Sequence, residues 1–260
     1  MVSNVVHPRY CAALALLLLF SCWGEALAAT NSNLSPFEAL RIWTPFILSG
    51  FLLNLVMSFL AALLGTLLGG LLGIAQLSAS KIIGSSTAFI TQVFRNTPWI
   101  VILFAVMLLV PFEVKLGTRS LTIPDWLKAT VGFAIPVSAN VAEVVRGAIL
   151  SVPSGQWESS ESLGFSKWQT LRMVILPQCV KRMMAPWMNA YAILVLSTPI
   201  AAVLGVHEAV GNAQQAMEAL GARTSLLVPF YSFILLLFFF YIYPISRLTL
   251  WLERKYAVYV

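Results

Sequence analysis

Five long apolar runs constrain the fold of this chain more than any other feature of its sequence. They cover residues 46–75, 88–110, 126–150, 183–206 and 227–249. An α-helix rises 1.5 Å per residue, so about 20 apolar residues cross a hydrocarbon core of roughly 30 Å. Each run is long enough for one crossing, and charged residues make up only 10% of the 260 residues. The runs therefore predict an all-α integral membrane protein with five spans.

The N-terminus before the first run has two interpretations. His7 and Arg9 precede an apolar run that ends at Phe20, and residues 25–29 form a small-residue cleavage site of the A-x-A kind. This layout is typical of a secretory signal peptide, and the same residues also suit an extra N-terminal helix. Residues 1–29 are thus interpreted as a signal peptide or an extra helix, and residues 30–45 as an external segment.

Lysine and arginine are concentrated on one side of the predicted spans. The richer side holds Lys81, Arg95, Arg146, Lys167, Arg172, Lys181, Arg182, Arg247, Arg254 and Lys255, and the other holds Arg41, Lys115, Arg119, Lys128 and Arg223. Cytoplasmic loops of membrane proteins carry the excess of these residues. We therefore expect residues 151–182 and the C-terminus to face the cytoplasm.

Small residues recur every four positions in the first run. They are Ala61, Gly65, Gly69 and Gly73. Such a stripe lies along one face of a helix and lets another helix approach closely. The partner is either another span of the same chain or a second copy, and the pattern does not separate the two.

The longest polar connection, residues 151–178, has the pattern of a helix, a glycine turn and a second helix. Ser154 follows a proline and is expected to cap the first helix. Gly164 suits the left-handed position that closes a helix. Ser166 and Gln169 have the spacing of a capping box for the second helix. Two short helices in the cytoplasm favour a docking element.

Prolines are expected to interrupt two helices. Pro177 lacks an N–H and should end or kink the helix that reaches it. Ser197 and Thr198 precede Pro199 in the fourth apolar run. A break there would expose backbone carbonyls, which membrane proteins tolerate where the chain lines a cavity. A plain proline kink is the other interpretation.

The same polar connection contains residues at a characteristic spacing: Glu158, Ser159, Ser160, Gly164, Val174, Leu176 and Pro177. It resembles the EAA loop of ABC-importer permeases, which reads Glu-Ala-Ala, three residues, Gly, nine residues, an aliphatic residue, any residue and Leu-Pro. Two serines replace the alanines and keep those positions small. The resemblance implies that residues 151–178 couple the chain to an ATPase.

Four further stretches narrow the resemblance to the polar amino acid branch, the histidine/glutamine/arginine/opine type. They are residues 95–98, 142–147, 152–158 and 252–258. The resemblance covers residues 46–258 and implies a five-span type I importer core. Leu196 and Ser197 stand where many members carry a lysine and a polar residue. Because that lysine is absent, we expect the transported substrate to be a neutral or cationic amino acid rather than an acidic one.

The resemblance implies a permease subunit of the bacterial inner membrane rather than an enzyme. The chain has no Gly-x4-Gly-Lys-Ser/Thr phosphate loop, so ATP should be hydrolysed on a partner chain. The implied partners are a cytoplasmic ATPase dimer, a second permease chain, identical or sister, an external amino-acid-binding protein and membrane lipid. No nucleic acid, cofactor, metal site or catalytic residue is expected. The alternative is a non-transporting membrane anchor or assembly protein.

Six polar residues in or beside the runs are candidates for a translocation path: Asn96, Thr97, Glu143, Arg146, Ser197 and Thr198. Charged residues inside a membrane are costly and usually face a cavity or a partner. Glu143 and Arg146 are three residues apart on one helix, so a simple mutual pair, or an arginine that reaches the interface, is the competing interpretation.

Overall fold

The computed structural model describes residues 34–116 and 119–256, so the interpretation of residues 1–29 as a signal peptide or extra helix lies outside the described residues. The helices are α1 (Pro36–Ala75), α2 (Lys81–Asn96), α3 (Trp99–Leu109), α4 (Asp125–Leu150), α5 (Ser154–Ser162), α6 (Lys167–Gln169), α7 (Leu176–Ser197), α8 (Ala209–Ala219) and α9 (Leu227–Tyr256). Strands β1 (Glu113–Leu116) and β2 (Arg119–Thr122) form an antiparallel hairpin. A π-helical turn (Thr170–Ile175) joins α6 to α7, and 3₁₀ segments (Thr198–Leu204 and Thr224–Leu226) follow α7 and precede α9.

Four helical stretches in the described part of the chain are long and apolar enough to cross a membrane. They are α1, α4, Lys167–Leu204 and Thr224–Tyr256. The pair α2 and α3 qualifies only as one bent unit, which raises the number to five. The predicted helical membrane fold is confirmed, whereas the five-span count stays a prediction. The β1–β2 hairpin was not predicted.

The second predicted span, residues 88–110, is broken in the structure. Helix α2 ends at Asn96 and α3 begins at Trp99, and the two helices are bent by 103°. Proline disfavours the helical region for the residue before it, and Thr97 before Pro98 is extended, with φ −83° and ψ 134°. The bend therefore follows from Pro98.

Helix α1 begins ten residues before the apolar run that predicted it. The Ser35 N–H donates to a Glu38 carboxylate oxygen at 3.0 Å, and the Glu38 N–H donates to Ser35 Oγ at 3.3 Å. This reciprocal pair is a capping box, and Pro36 is favourable in the first helical position. Most of the predicted external segment 30–45 is thus helical, and residues 30–33 lie outside the described part.

The chain forms two compact units. The first comprises residues 34–55 and Ala201–Phe239. In its interior, Asn54 donates to a Glu208 carboxylate oxygen at 2.7 Å. The other Glu208 oxygen accepts the N–H groups of Val210 and Gly211, which caps α8. Burial raises the pKa of Glu208, which lies between the apolar helices, and these hydrogen bonds lower it in part.

The second unit comprises Val56–Ile200 and residues from Phe240 onward. Its core includes the small-residue stripe of α1, which packs on α4. A Cβ added at Gly69 would lie 2.5 Å from the Ser138 carbonyl oxygen, and one at Gly73 would lie 2.7 Å from that of Ala142. The partner of the stripe is therefore another span of the same chain.

Candidate functional site

The polar connection between α4 and α7 folds as two helical pieces around a glycine. Helix α5 ends in a Schellman motif, in which Phe165 N–H donates to Ser160 O at 3.1 Å and Gly164 N–H donates to Glu161 O at 2.9 Å. Gly164 has φ +80°, which an L-residue with a Cβ rarely adopts. The predicted helix, left-handed glycine and second helix are all present.

The two predicted helix caps differ in outcome. Ser166 Oγ accepts the Gln169 N–H, and the Gln169 side chain accepts the Ser166 N–H, so the predicted capping box is confirmed. The predicted cap at Ser154 is wrong. Pro153 occupies the N-cap position, and Ser154 is the first helical residue. The free N–H groups of the first turn are accepted by a side chain at the N-cap, which is one position earlier than Ser154.

Pro177 neither ends the helical stretch nor leaves it regular. The preceding turn widens to a π-helix in which Leu176 N–H donates to Leu171 O, five residues back. Pro177 then stands at the start of α7, where its missing N–H is not needed. The disturbance expected at Pro177 thus occurs in the preceding turn.

This connection presents a mixed surface. Glu158, Ser159, Gly164 and Pro177 are exposed, Val174 and Leu176 are half-buried, and Ser160 is buried. Three large apolar side chains are also exposed: Leu163 by 76%, Trp168 by 60% and Met173 by 64%. Exposed apolar groups rimmed by polar residues mark interaction sites. Apolar and polar side chains are thus exposed together on this connection.

A cluster of charges lies in the second unit, where α2 meets α4. The Glu143 carboxylate pairs with the Arg146 guanidinium at 2.9 Å and with that of Arg95, at the end of α2, at 3.6 Å. Gln92 Nε2 also donates to Glu143, at 3.4 Å. The Glu143 side chain is only 14% exposed. One carboxylate thus holds two arginines from different helices.

Glu143 and Arg95 line a groove of about 570 Å³ to which α2, α3, α4 and α7 contribute residues. Its other lining residues are Trp99, Val137, Asn140, Val144, Pro186, Asn189, Ala190 and Ile193. The groove combines apolar walls with a few convergent polar groups, which is the usual character of a small-molecule site. Glu143 thus pairs with Arg146 and also lines the groove, and its role in a translocation path stays a prediction.

The remaining candidate path residues lie outside the lining of this groove. Asn96 donates its amide to the Gln92 carbonyl oxygen at 2.7 Å, and Thr97 lies at the α2–α3 bend. Ser197 ends α7, and Thr198 begins the 3₁₀ segment and is fully buried. The predicted break after Ser197 is thus a change from α to 3₁₀ helix.

Sequence reasoning missed the role of two groove residues. Arg95 was assigned to a side of the membrane but not paired with Glu143, because the two are 48 positions apart and meet only where α2 packs against α4. Asn189 lies in the fourth run and had no motif. A polar residue inside an apolar run was the available signal for Asn189. Among the described residues, no three His, Cys, Asp or Glu side chains are grouped closely enough to hold a metal ion.

Comparison with known proteins matches most of this chain to one family. Residues 65–258 match the family described as binding-protein-dependent transport system inner membrane component. A glutamate/glutamine/aspartate/asparagine transport system permease of Rhodobacter capsulatus is 29% identical over 79% of this chain and 47% of its own length. A probable amino-acid ABC transporter permease of Bacillus subtilis is 30% identical over 83% of this chain and 91% of its own length. The chain spans about half the length of some curated relatives it matches.

Solved structures agree with the sequence matches. An amino acid ABC transporter crystallised with histidines has a TM-score of 0.71 at 26% identity, over 84% of this chain and 98% of that one. A methionine ABC transporter in an inward-facing conformation has a TM-score of 0.62 at 17% identity, over 80% and 96%, and shows the same fold. This chain belongs to the family of inner membrane components of binding-protein-dependent transport systems.

Proposed function

We propose that this chain is the membrane-spanning permease subunit of an ATP-binding cassette importer for polar amino acids or compounds derived from them. The observation that carries the proposal is the groove that Arg95 and Glu143 line together. Ionisable groups among apolar helices are costly and are retained mainly where they serve a substrate or ion path. A membrane anchor that transports nothing does not need a groove of this kind. The names of the relatives, which include glutamine and amino-acid permeases, support the same class.

The charges of the groove suit a zwitterion. An amino acid carries an ammonium and a carboxylate, and each needs a partner in a medium of low dielectric constant. We assign the ammonium to Glu143 and the carboxylate to Arg95, whose guanidinium is suited to bidentate binding. Because one anion and one cation line the groove, an acidic side chain has no second cation to meet. A neutral or cationic amino acid is therefore the expected substrate.

Asn96, Thr97, Ser197 and Thr198 stay proposed path residues. Each lies where an apolar helix is interrupted, at the α2–α3 bend or at the end of α7. Interrupted helices at membrane depth are tolerated where they line a cavity or are buried in protein. We assign these positions to the path beyond the groove, with Arg146 positioning Glu143 through the 2.9 Å pair.

Residues 151–178 are proposed as the dock for a cytoplasmic ATPase. Glu158 and Gly164 are central in this proposal, because both are exposed, Glu158 on α5 and Gly164 on the turn that follows it. The exposed side chains of Leu163 and Trp168 supply the apolar contact that a stable dock requires. ATP-driven closure of two such ATPases would move the docked segments of two permease chains, identical or sister, and reorient the spans around the path.

The proposed orientation follows the distribution of lysine and arginine. Residues 151–182 and the C-terminus face the cytoplasm, and residues 30–45 and 207–226 face outside, where a separate amino-acid-binding protein delivers substrate. Residues 46–258 form the permease domain. Labelling of a single cysteine at position 161 by an impermeant reagent tests this directly: protection in intact cells supports it, and labelling from outside contradicts it.

Uptake by the reconstituted complex tests the substrate. The chain is assembled with an ABC ATPase and an amino-acid-binding protein that form a complex with it, and radiolabelled glutamine uptake is measured in proteoliposomes that contain ATP. Arginine, histidine and glutamine should compete more strongly than glutamate. A complex that transports glutamate best would contradict the assignment, as would uptake of glutamine in the absence of ATP.

A further inference from the structure

The side-chain amide of Asn189 is available to a ligand of the charged groove. Asn189 lines this groove together with Glu143 and Arg95, and it is exposed. Its amide forms no hydrogen bond within the described ranges 34–116 and 119–256. The other asparagines of these ranges each donate to a partner 2.7–2.9 Å away: Asn54 to Glu208, Asn96 to the Gln92 carbonyl oxygen, Asn140 to that of Pro136 and Asn212 to that of Phe46. Asn189 thus differs from all of them.

The face of α7 that lines the groove has one polar side chain. Pro186, Asn189, Ala190 and Ile193 line the groove from this helix. Their spacing of three and four residues places them on one helical face, on which Asn189 is the only polar side chain of the four. An amide among apolar groups costs free energy unless it is hydrogen-bonded. Polar residues inside membrane helices are accordingly retained mainly where they serve a substrate path or a partner.

The charged residues of the groove lie on other helices. Glu143 belongs to α4, and Arg95 is in the last turn of α2. The proposed function assigns the ammonium and the carboxylate of the substrate to these two residues. The side chain of the substrate is therefore the part that is left to contact α7, and Asn189 is the polar group that α7 offers to it.

Asn140 has a different role in the same groove. It lies one turn before Glu143, about 4.5 Å along the axis of α4. Its amide donates to the Pro136 carbonyl oxygen at 2.9 Å, so it is held against its own helix. Asn189 has no such bond, and its amide can turn to suit a ligand.

The chemistry of a free carboxamide limits which side chains it can bind. An asparagine amide offers two N–H donors and one carbonyl acceptor, and it carries no charge. It can pair in both directions with another carboxamide, and it can accept from an imidazole or a guanidinium. A thioether or an alkyl chain of the same length gives it no good partner. A site that is built to hydrogen-bond a substrate group rejects the analogue that lacks this group, because the polar atoms of the site are then left unpaired.

We propose that Asn189 is a specificity-determining residue that hydrogen-bonds the side chain of the transported amino acid. It selects amino acids whose side chains form hydrogen bonds, such as glutamine, histidine and arginine, over apolar amino acids of similar size, such as methionine. This inference rests on the proposed function, because it requires that the groove binds the substrate. It adds a side-chain contact to the two charged contacts at Glu143 and Arg95.

Equilibrium dialysis of the purified permease–ATPase complex tests the proposal. The external binding protein is left out, because it would select the amino acid before the permease does. The probes are radiolabelled glutamine, arginine and methionine. The wild type should bind glutamine roughly 3–10-fold more tightly than methionine, which is the contribution of one neutral hydrogen bond.

Two substitutions at Asn189 should change selectivity in different ways. Asn189→Leu removes the hydrogen bond at similar volume, so glutamine should bind roughly 3–10-fold more weakly and methionine should not. Asn189→Asp keeps the shape and adds a negative charge, so the preference for arginine over glutamine should rise about tenfold. The matched control is Gln214→Glu, the same change of an amide to a carboxylate on exposed α8 surface outside the groove, which should leave all three affinities unchanged.

The outcomes separate this assignment from the proposed function. Equal weakening of glutamine, arginine and methionine by Asn189→Leu would show a structural role and overturn the assignment, as would unchanged ratios in both variants. If Asn189→Leu does not fold, the arginine-to-glutamine ratio of the nearly isosteric Asn189→Asp decides alone. ATP-driven uptake by the complete wild-type complex, measured in parallel, reports on the proposed function. Uptake together with unchanged ratios overturns only the role of Asn189, whereas absence of uptake of any amino acid overturns both.

Discussion

The glycine stripe of α1 offers two neighbouring positions with opposite surroundings. At Gly69 an added Cβ would lie 2.5 Å from the Ser138 carbonyl oxygen and 2.7 Å from Val141 Cβ. At Gly70, the next residue, it would meet nothing within 4 Å. The pair Gly69→Ala and Gly70→Ala therefore adds the same methyl group to the same helix, once against α4 and once into open space.

The expected difference in stability follows from these distances. Carbon atoms pack best at about 3.5–4.0 Å, so the methyl group at Gly69 overlaps its neighbours by roughly 1 Å, and α4 must move. Overpacking of this kind costs about 1–3 kcal/mol. Both substitutions also gain about 1 kcal/mol of helix propensity, which cancels when the two variants are compared. Gly69→Ala should thus be about 1–3 kcal/mol less stable than Gly70→Ala.

Thermal unfolding of the purified variants in detergent measures this difference. The Tm of Gly69→Ala should lie roughly 2–12 °C below that of Gly70→Ala. Equal Tm values would refute the close packing of α1 on α4. Equal Tm values, together with weaker crosslinking between two chains in Gly69→Ala than in the wild type, would identify the stripe as a contact between two copies.

Three further substitutions test other parts of the structure. Gly164→Val should abolish uptake and substrate-stimulated ATPase activity while the chain stays in the membrane, because a β-branched residue is strained at φ +80°. The control Gly147→Val lies in a regular helix with open space around its Cβ position and should keep both activities. Glu208→Ala should lower the free energy of unfolding by about 3 kcal/mol, because the Asn54 amide and two backbone N–H groups lose their acceptor. The change is measured as a lowered Tm, and an unchanged Tm would contradict the hydrogen bonds to Glu208. Thr66→Val should lower the free energy of unfolding by about 1–3 kcal/mol, because the Trp187 indole N–H donates to Thr66 Oγ1 at 2.7 Å and loses this acceptor. The Tm should fall accordingly, and a Tm equal to that of the wild type would show that this hydrogen bond does not stabilise the fold.

Local sequence rules predicted the polar connection well. Gly164 and the Ser166–Gln169 capping box depend on backbone geometry within a few residues, and a sequence contains all of that information. The start of α1 was missed, although Ser35 and Glu38 form the same kind of box, because the apolar run alone was used to place the helix. Pro98 was likewise available as a signal for the break in the second run.

The charged groove was only partly predictable. Glu143 and Arg146 share one helix, so helical periodicity predicts their contact at 2.9 Å. The contact between Glu143 and Arg95 depends on the packing of α2 against α4, which no local rule specifies. The β1–β2 hairpin escaped prediction because its strands are only four residues each and lie in a short connection.

The most direct test of the proposed function is ATP-driven amino acid uptake by variants of the groove. Proteoliposomes with the wild-type complex should accumulate radiolabelled glutamine, arginine or histidine only with internal ATP. Glu143→Gln should reduce that uptake by roughly 10–100-fold, because the substrate ammonium and two arginines lose their carboxylate, while Glu218→Gln, on exposed α8 surface outside the groove, should not. Uptake by Glu143→Gln at the wild-type rate would contradict the groove as the translocation path.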